Sequence, residues 1–172
     1  MSHAKMKELS AAQLKSPRFI DGKALLIGGL RKRYSGREMN EIPAQWQRFA
    51  PHIGKIAGQL NGDVAYGVCW PVENGDGIEY LTGIEVSGFA GLPSEFTVVS
   101  IPPVKYAVFL HREHVSKLRE TIDAIFHTWL PGCGHQAAGG YAETPAFFER
   151  YTEEFNPQTG IGGMEVWVPL KS

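Results

Sequence analysis

The chain has 172 residues, with 17 Lys and Arg set against 18 Asp and Glu and a formal net charge of −1. That length supports one domain, or two small intimate halves, with a real core. The charge balance lacks the basic footprint of a nucleic-acid binder, and no apolar run approaches a membrane span.

Residues 1–16 are polar, end before Pro17, and contain no apolar stretch of the kind found in secretory signals. They read as a lead-in to a domain spanning 17–172. Cys69 and Cys133 make no disulfide framework, so a reduced, cytoplasmic protein is expected.

One strand is expected over 18–33, bent where Gly22 and Gly28-Gly29 interrupt it. Asn40 is a fair helix N-cap, and Pro43 is tolerated in the first turn. Ile42, Trp46, Phe49, Ile53 and Ile56 then recur at helical spacing, with Pro51 placed to kink or split the helix. Strands follow over 63–70 and 78–86, joined by the turn cluster Glu73-Asn74-Gly75-Asp76-Gly77.

A short strand over 96–101 reaches Pro102-Pro103. The next, over 104–111, is almost continuously apolar and reads as buried. Val115, Leu118, Ile122, Ile125, Phe126 and Trp129 form the clearest amphipathic helix, which stops at Pro131-Gly132. Strands over 146–151 and 163–169 close the chain. Each half therefore reads strand, helix, strand, strand, which gives an α+β fold with approximate modules 17–90 and 95–172.

Several chemistries have no signature. There is no nucleophile elbow, no P-loop and no H-E-x-x-H. His111 and His114 lack an evident third ligand, so no metal is expected, and no cofactor either. The cysteines read as packing residues, because thiols without a cationic neighbour are inert.

The last strand poses the sharper question. Alternation puts Met164, Val166 and Val168 on one face and Glu165 with Trp167 on the other. A carboxylate beside an indole suits either an edge strand in water or the lining of a ligand pocket. Glu149 shares a face with Phe147 and Tyr151 in the preceding strand. Strand aromatics are most often core. If the last two strands pair with these faces aligned, however, Glu149, Glu165 and several rings converge on one side.

The residues Tyr66-Gly67-Val68, Thr82-Gly83-Ile84-Glu85-Val86, Ile101-Pro102-Pro103, Tyr106-Ala107-Val108-Phe109, Trp129-Leu130-Pro131, Pro145-Ala146-Phe147-Phe148-Glu149-Arg150-Tyr151 and Glu165-Val166-Trp167-Val168-Pro169 come in an order and spacing that resembles the GyrI-like effector-binding family. That family includes the drug-binding domains of AraC-type and MerR-type regulators. The resemblance implies two β-α-β-β (SHS2-like) modules related by a pseudo-twofold, an antiparallel sheet with two main helices, and a ligand cleft between the halves. It also implies an aromatic cleft with glutamates at its floor. By position these are Glu165 with its companion Trp167, and Glu149 with Phe147 and Tyr151; Tyr66, Trp70 and Tyr106 are further pocket candidates. Many relatives carry a DNA-binding module, for which residues 1–16 are too few, so no direct nucleic-acid binding is expected.

Three functions follow as expectations. The first is a stand-alone multidrug binder of flat, hydrophobic, often cationic small molecules, held by rings and a desolvated carboxylate. The second is a hydrolase that opens cyclopropane-bearing alkylating electrophiles, with Glu165 as general acid or base at a raised pKa. The third is a protein-interaction module, such as an inhibitor of gyrase.

Overall fold

A computed structural model describes residues 14–72, 75–140 and 143–172 of the chain. Eight strands make one antiparallel sheet: β1 (Arg18–Gly22), β2 (Leu25–Tyr34), β3 (Ala65–Pro71), β4 (Ile78–Glu85), β5 (Thr97–Ile101), β6 (Val104–His111), β7 (Phe147–Tyr151) and β8 (Met164–Leu170). Their order is β1-β6-β8-β7-β3-β4-β2-β5. The two runs β1-β6-β8-β7 and β5-β2-β4-β3 meet where β3 pairs with β7. The fold is α+β, with two main helices on one face of the sheet. None of the helices among the described residues is long and apolar enough to cross a membrane.

The single bent strand expected over 18–33 is two strands. The chain breaks at Lys23–Ala24, and its halves do not pair: β1 lies beside β6, while β2 lies between β4 and β5. This has a large geometric consequence. In a flat sheet β1 and β2 would stand six strand spacings apart, roughly 29 Å. The link from Gly22 to Leu25 reaches at most about 11 Å. The same holds for β5 and β6, which are joined through Pro102-Pro103. The sheet therefore curls until its ends meet. The face turned inward by this curl encloses a core of its own, in which Ile20, Leu25, Val99 and Val104 from the outer strands pack against Tyr66, Val68, Trp70, Tyr106, Val108 and Phe148.

Helix α1 (Ile42–Phe49) starts after a 3-10 turn, Met39–Glu41, rather than at Asn40, and no side chain caps it. Pro51 splits the expected long helix, leaving a separate 3-10 turn, Ala50–His52. Gln45 is fully buried and locks α1 to the sheet. Its amide nitrogen donates to the Leu30 carbonyl (2.8 Å) and the Tyr80 carbonyl (3.2 Å), and its oxygen accepts from the Tyr34 hydroxyl.

Helix α2 (Leu118–Ala124) follows a 3-10 turn and continues through a π-helical turn, Ile125–Trp129, to end at Leu130–Gly132. Its apolar side packs on Ala107, Phe109, Met164, Val166 and Val168. The two helices thus cover β2/β4 on one side and β6/β8 on the other, leaving β3 and β7 as the floor between them.

Candidate functional site

On β7, alternation sends Phe147, Glu149 and Tyr151 toward the helices and Phe148 and Arg150 away from them. Glu149 stands at the centre of the floor and is 8% exposed. Its Oε1 accepts from the Tyr80 hydroxyl (2.7 Å) and from the Tyr151 hydroxyl (2.8 Å). The indole of Trp46 on α1 donates to the same Tyr80 oxygen (3.1 Å) and meets Tyr151 edge-on at 5.1 Å. The other carboxylate oxygen, Oε2, takes no hydrogen bond from the described residues.

Gly67 makes this arrangement fit. It lies on β3 between Thr82 of β4 and Glu149 of β7. A Cβ there would overlap the Tyr80 hydroxyl on its way to Glu149. The glycine is used for the space it leaves between two side chains.

Above this floor lies a cavity of about 980 Å³. Its walls are largely apolar, formed by Ile42, Pro43 and Trp46 of α1, Leu118 and Ile122 of α2, and Phe147 and Phe155. Its charged lining side chains among the described residues are Asp63, Asp123, Glu149 and Glu153 against Arg119 alone. Burial pushes the Glu149 carboxyl above its ordinary pKa, and the Tyr80 and Tyr151 hydrogen bonds offset only part of that rise. Both phenols are in turn raised well above theirs, by burial and then by Glu149. An acid in this setting can attract a desolvated cation, and it holds its proton to a higher pH than an exposed glutamate does.

The expectation that Glu149 and Glu165 converge on one side is corrected by the register. β7 and β8 pair Arg150 with Glu165 and Phe148 with Trp167. Directly opposed residues of an antiparallel pair share a face. Glu165 and Trp167 therefore point inward with Phe148 and Arg150, away from the helices and from Glu149, and neither lines the cavity.

There Glu165 accepts from Arg18 (2.6 Å), Arg150 (3.2 Å) and the Trp167 indole (3.2 Å). Burial opposes its charge, but Arg18, Trp167 and Arg150 outweigh burial and hold the carboxyl below its ordinary value. Trp167 stacks on Phe148 at 5.3 Å and meets Tyr106 at 5.2 Å. Tyr66, Trp70 and Tyr106 lie on the same inward face, in the curled core. Arg31 covers the Trp70 ring at 4.4 Å.

Of the residues singled out from sequence, the cavity unites Glu149, Phe147 and Tyr151. It adds Trp46, Tyr80 and Cys69, whose thiol is pushed up to about 12, first by burial and then by Glu149. Tyr80 carried one usable signal, its place on the helix-facing alternation of β4; Trp46 read only as helix core. Both ring nitrogens of His111 are engaged, by the Thr121 hydroxyl (2.8 Å) and the His114 carbonyl (2.9 Å). No group of three or more metal-ligating side chains occurs among the described residues.

Residues 15–171 match the family model described as the GyrI-like small molecule binding domain. The chain is 28% identical over 155 residues to the transcriptional regulator BrlR of Pseudomonas aeruginosa, a match covering 89% of this chain and 54% of that protein. It thus spans about half the length of that relative. Among solved structures it is similar to SAV2435 bound to tetraphenylphosphonium, with a TM-score of 0.73 and 22% identity over 92% of this chain and 95% of the other. It is also similar to a putative transcription regulation protein of Staphylococcus aureus MU50, with a TM-score of 0.64 and 23% identity over 91% and 98%. At these identities the two structures speak for the fold.

Proposed function

Because this chain belongs to the GyrI-like small-molecule binding domain family, we propose that its cavity binds bulky or flat hydrophobic cations, with Glu149 as the charge they meet. The observation that carries this reading is one buried carboxylate with a tethered oxygen and a free one. Tyr80 and Tyr151 fix Oε1, while Oε2 has no partner among the described residues in a largely apolar chamber.

A delocalised cation costs little to dehydrate and gains both the carboxylate and the ring faces of Trp46, Phe147 and Tyr151. Such ring contacts are each worth about 0.5–2 kcal/mol. Rings and a carboxylate impose no fixed hydrogen-bond geometry, so selectivity is broad within the class. The bound tetraphenylphosphonium of the similar SAV2435 is a ligand of this kind. Sequestration of toxic cations, or sensing them on behalf of a partner, would suit such a pocket.

The test is a calorimetric titration with tetraphenylphosphonium and with neutral triphenylphosphine oxide. Glu149→Gln is expected to weaken the phosphonium at least tenfold, about 1.4 kcal/mol, and to leave the neutral compound within about twofold. Equal losses for both would assign the site to packing rather than charge.

A hydrolytic reading rests on the same carboxyl, because its raised pKa suits a general acid. Ring-opened product from an electrophilic cyclopropane, formed by the wild type and lost in Glu149→Gln, is the result that would favour it.

A further inference from the structure

Helix α1 holds Tyr80 of β4 at two points with consecutive residues. The Gln45 amide nitrogen donates to the Tyr80 carbonyl (3.2 Å), and the Trp46 indole nitrogen donates to the Tyr80 hydroxyl oxygen (3.1 Å). An indole N–H can give a hydrogen bond but cannot receive one. The direction of the Trp46–Tyr80 bond is therefore fixed, and the single hydroxyl hydrogen of Tyr80 is left for Glu149 Oε1, 2.7 Å away. Trp46 itself is well held. Its neighbour Gln45 is fully buried, and its ring meets Phe49 at 6.3 Å and Tyr151 at 5.1 Å, both edge-on.

This arrangement acts on the carboxyl in two ways. With the indole N–H on its oxygen, Tyr80 is poorly placed to accept a hydrogen from a protonated Glu149. Linked hydrogen bonds also polarise one another. The Trp46 bond pulls the Tyr80 hydroxyl pKa down against the rise caused by burial and by Glu149, which makes that hydroxyl the better donor to Oε1. Both effects favour the ionised carboxylate.

We propose that Trp46 is a positioning residue for cation binding: through Tyr80 it keeps Glu149 charged, with Oε1 tethered and Oε2 left for the ligand. The proposal rests on Glu149 serving as the cation site. The titratable side chains facing Glu149 are Tyr80 from β4, Tyr151 from β7 and Cys69 from β3. The other charged groups of the lining are Asp63, Glu153 and, on α2, Arg119 and Asp123. Helix α1 adds no charged side chain to that lining, so Trp46→Phe alters none of these groups.

The experiment titrates the full chain with tetraphenylphosphonium from pH 8 downward, with triphenylphosphine oxide as the neutral reference. The phosphonium has no proton to lose, so the midpoint of its affinity loss reports Glu149. In Trp46→Phe that midpoint is expected to rise by roughly half a pH unit, the size of a neutral hydrogen bond felt through a second one. On the high-pH plateau, phosphonium affinity should fall only as far as that of the phosphine oxide, which measures the smaller ring. Tyr80→Phe should raise the midpoint by roughly one unit, and adding Trp46→Phe to it should move the midpoint no further. Benzothienylalanine in place of Trp46 keeps both rings and lacks only the N–H; it carries the same expectation and serves if Trp46→Phe does not fold. An unchanged midpoint in Trp46→Phe, or an equal further shift in the Tyr80→Phe background, overturns the positioning role and leaves the cation site standing. A phosphonium that does not bind, or whose pH dependence survives Glu149→Gln, overturns this proposal together with the reading of the cavity beneath it.

Discussion

Glu149 is held in a setting that disfavours its own charge, and the consequences for folding and for binding have opposite signs. Its folded-state pKa lies above its ordinary value because burial outweighs the two phenol hydrogen bonds. Below the unfolded value, about 4.3, the group is protonated in both states and contributes nothing. As pH rises through that value the unfolded state ionises first, and the cost to folding grows until the folded carboxyl ionises too. Glu149→Gln is therefore expected to stabilise the protein at pH 7 by roughly 1 kcal/mol. That is a rise of about 2–4 °C in Tm for a chain of this size, and it should vanish near pH 3. A lower Tm at pH 7 would mean that the phenols favour the carboxylate more than burial penalises it. Cation affinity runs the other way. The ligand selects the ionised form, so affinity falls as pH drops through the raised pKa, approaching tenfold per pH unit. Calorimetry from pH 8 downward should find that fall above the pH at which an ordinary glutamate titrates.

At the scale of elements, the pairing of β7 with β8 decides which carboxylate belongs to the cavity. Both strands, and the alternation within each, were legible in the sequence: Glu149 with Phe147 and Tyr151, Glu165 with Trp167. Their mutual register was not, because a long Gly-rich connection imposes no turn geometry on the strands it joins. Arg150 held the missing clue, as a cation on the other face of β7 and a natural partner for Glu165. The Tyr80–Glu149–Tyr151 tether needed three strands brought together across Gly67, which no local pattern encodes. The split of α1 at Pro51 was legible for a local reason: proline lacks the N–H that a helix interior requires. The ion-pair cluster has its own signature. Because the Glu165 carboxyl is held below its ordinary value, its stabilisation is present above the ordinary carboxylate pKa and lost as pH falls through the lowered one. Glu165→Gln should cost about 1–2 kcal/mol at neutral pH, mostly through Arg150, since the Arg18 side chain is 50% exposed. Tetraphenylphosphonium affinity should stay within about twofold. A larger loss of affinity with stability preserved would return Glu165 to the ligand site.

For the whole molecule, the two short links matter more than either half. The β-α-β-β order of each half was readable along the chain, but the exchange of leading strands was not. β1 precedes the first half in sequence and pairs with β6 of the second, while β5 precedes the second half and pairs with β2 of the first. Each half thus borrows a strand that the other half's segment carries. The inward core is shared as well, since Tyr106 and Val108 of β6 pack in one cluster with Tyr66, Val68 and Trp70 of β3. Fragments 17–94 and 95–172, cut where the second of the expected modules (17–90 and 95–172) begins, would therefore fail as independent domains. The first would hold β1 with nothing to pair against, and the second would expose the outer edge of β6. Produced separately, each should lack a cooperative thermal transition and near-ultraviolet circular dichroism. Mixed at equal concentration, they should regain both, together with phosphonium binding, because the cavity floor joins β3 of one to β7 of the other. A cooperative transition in either fragment alone would show that the curled sheet is assembled from two self-sufficient units, and that the exchanged strands are dispensable to each.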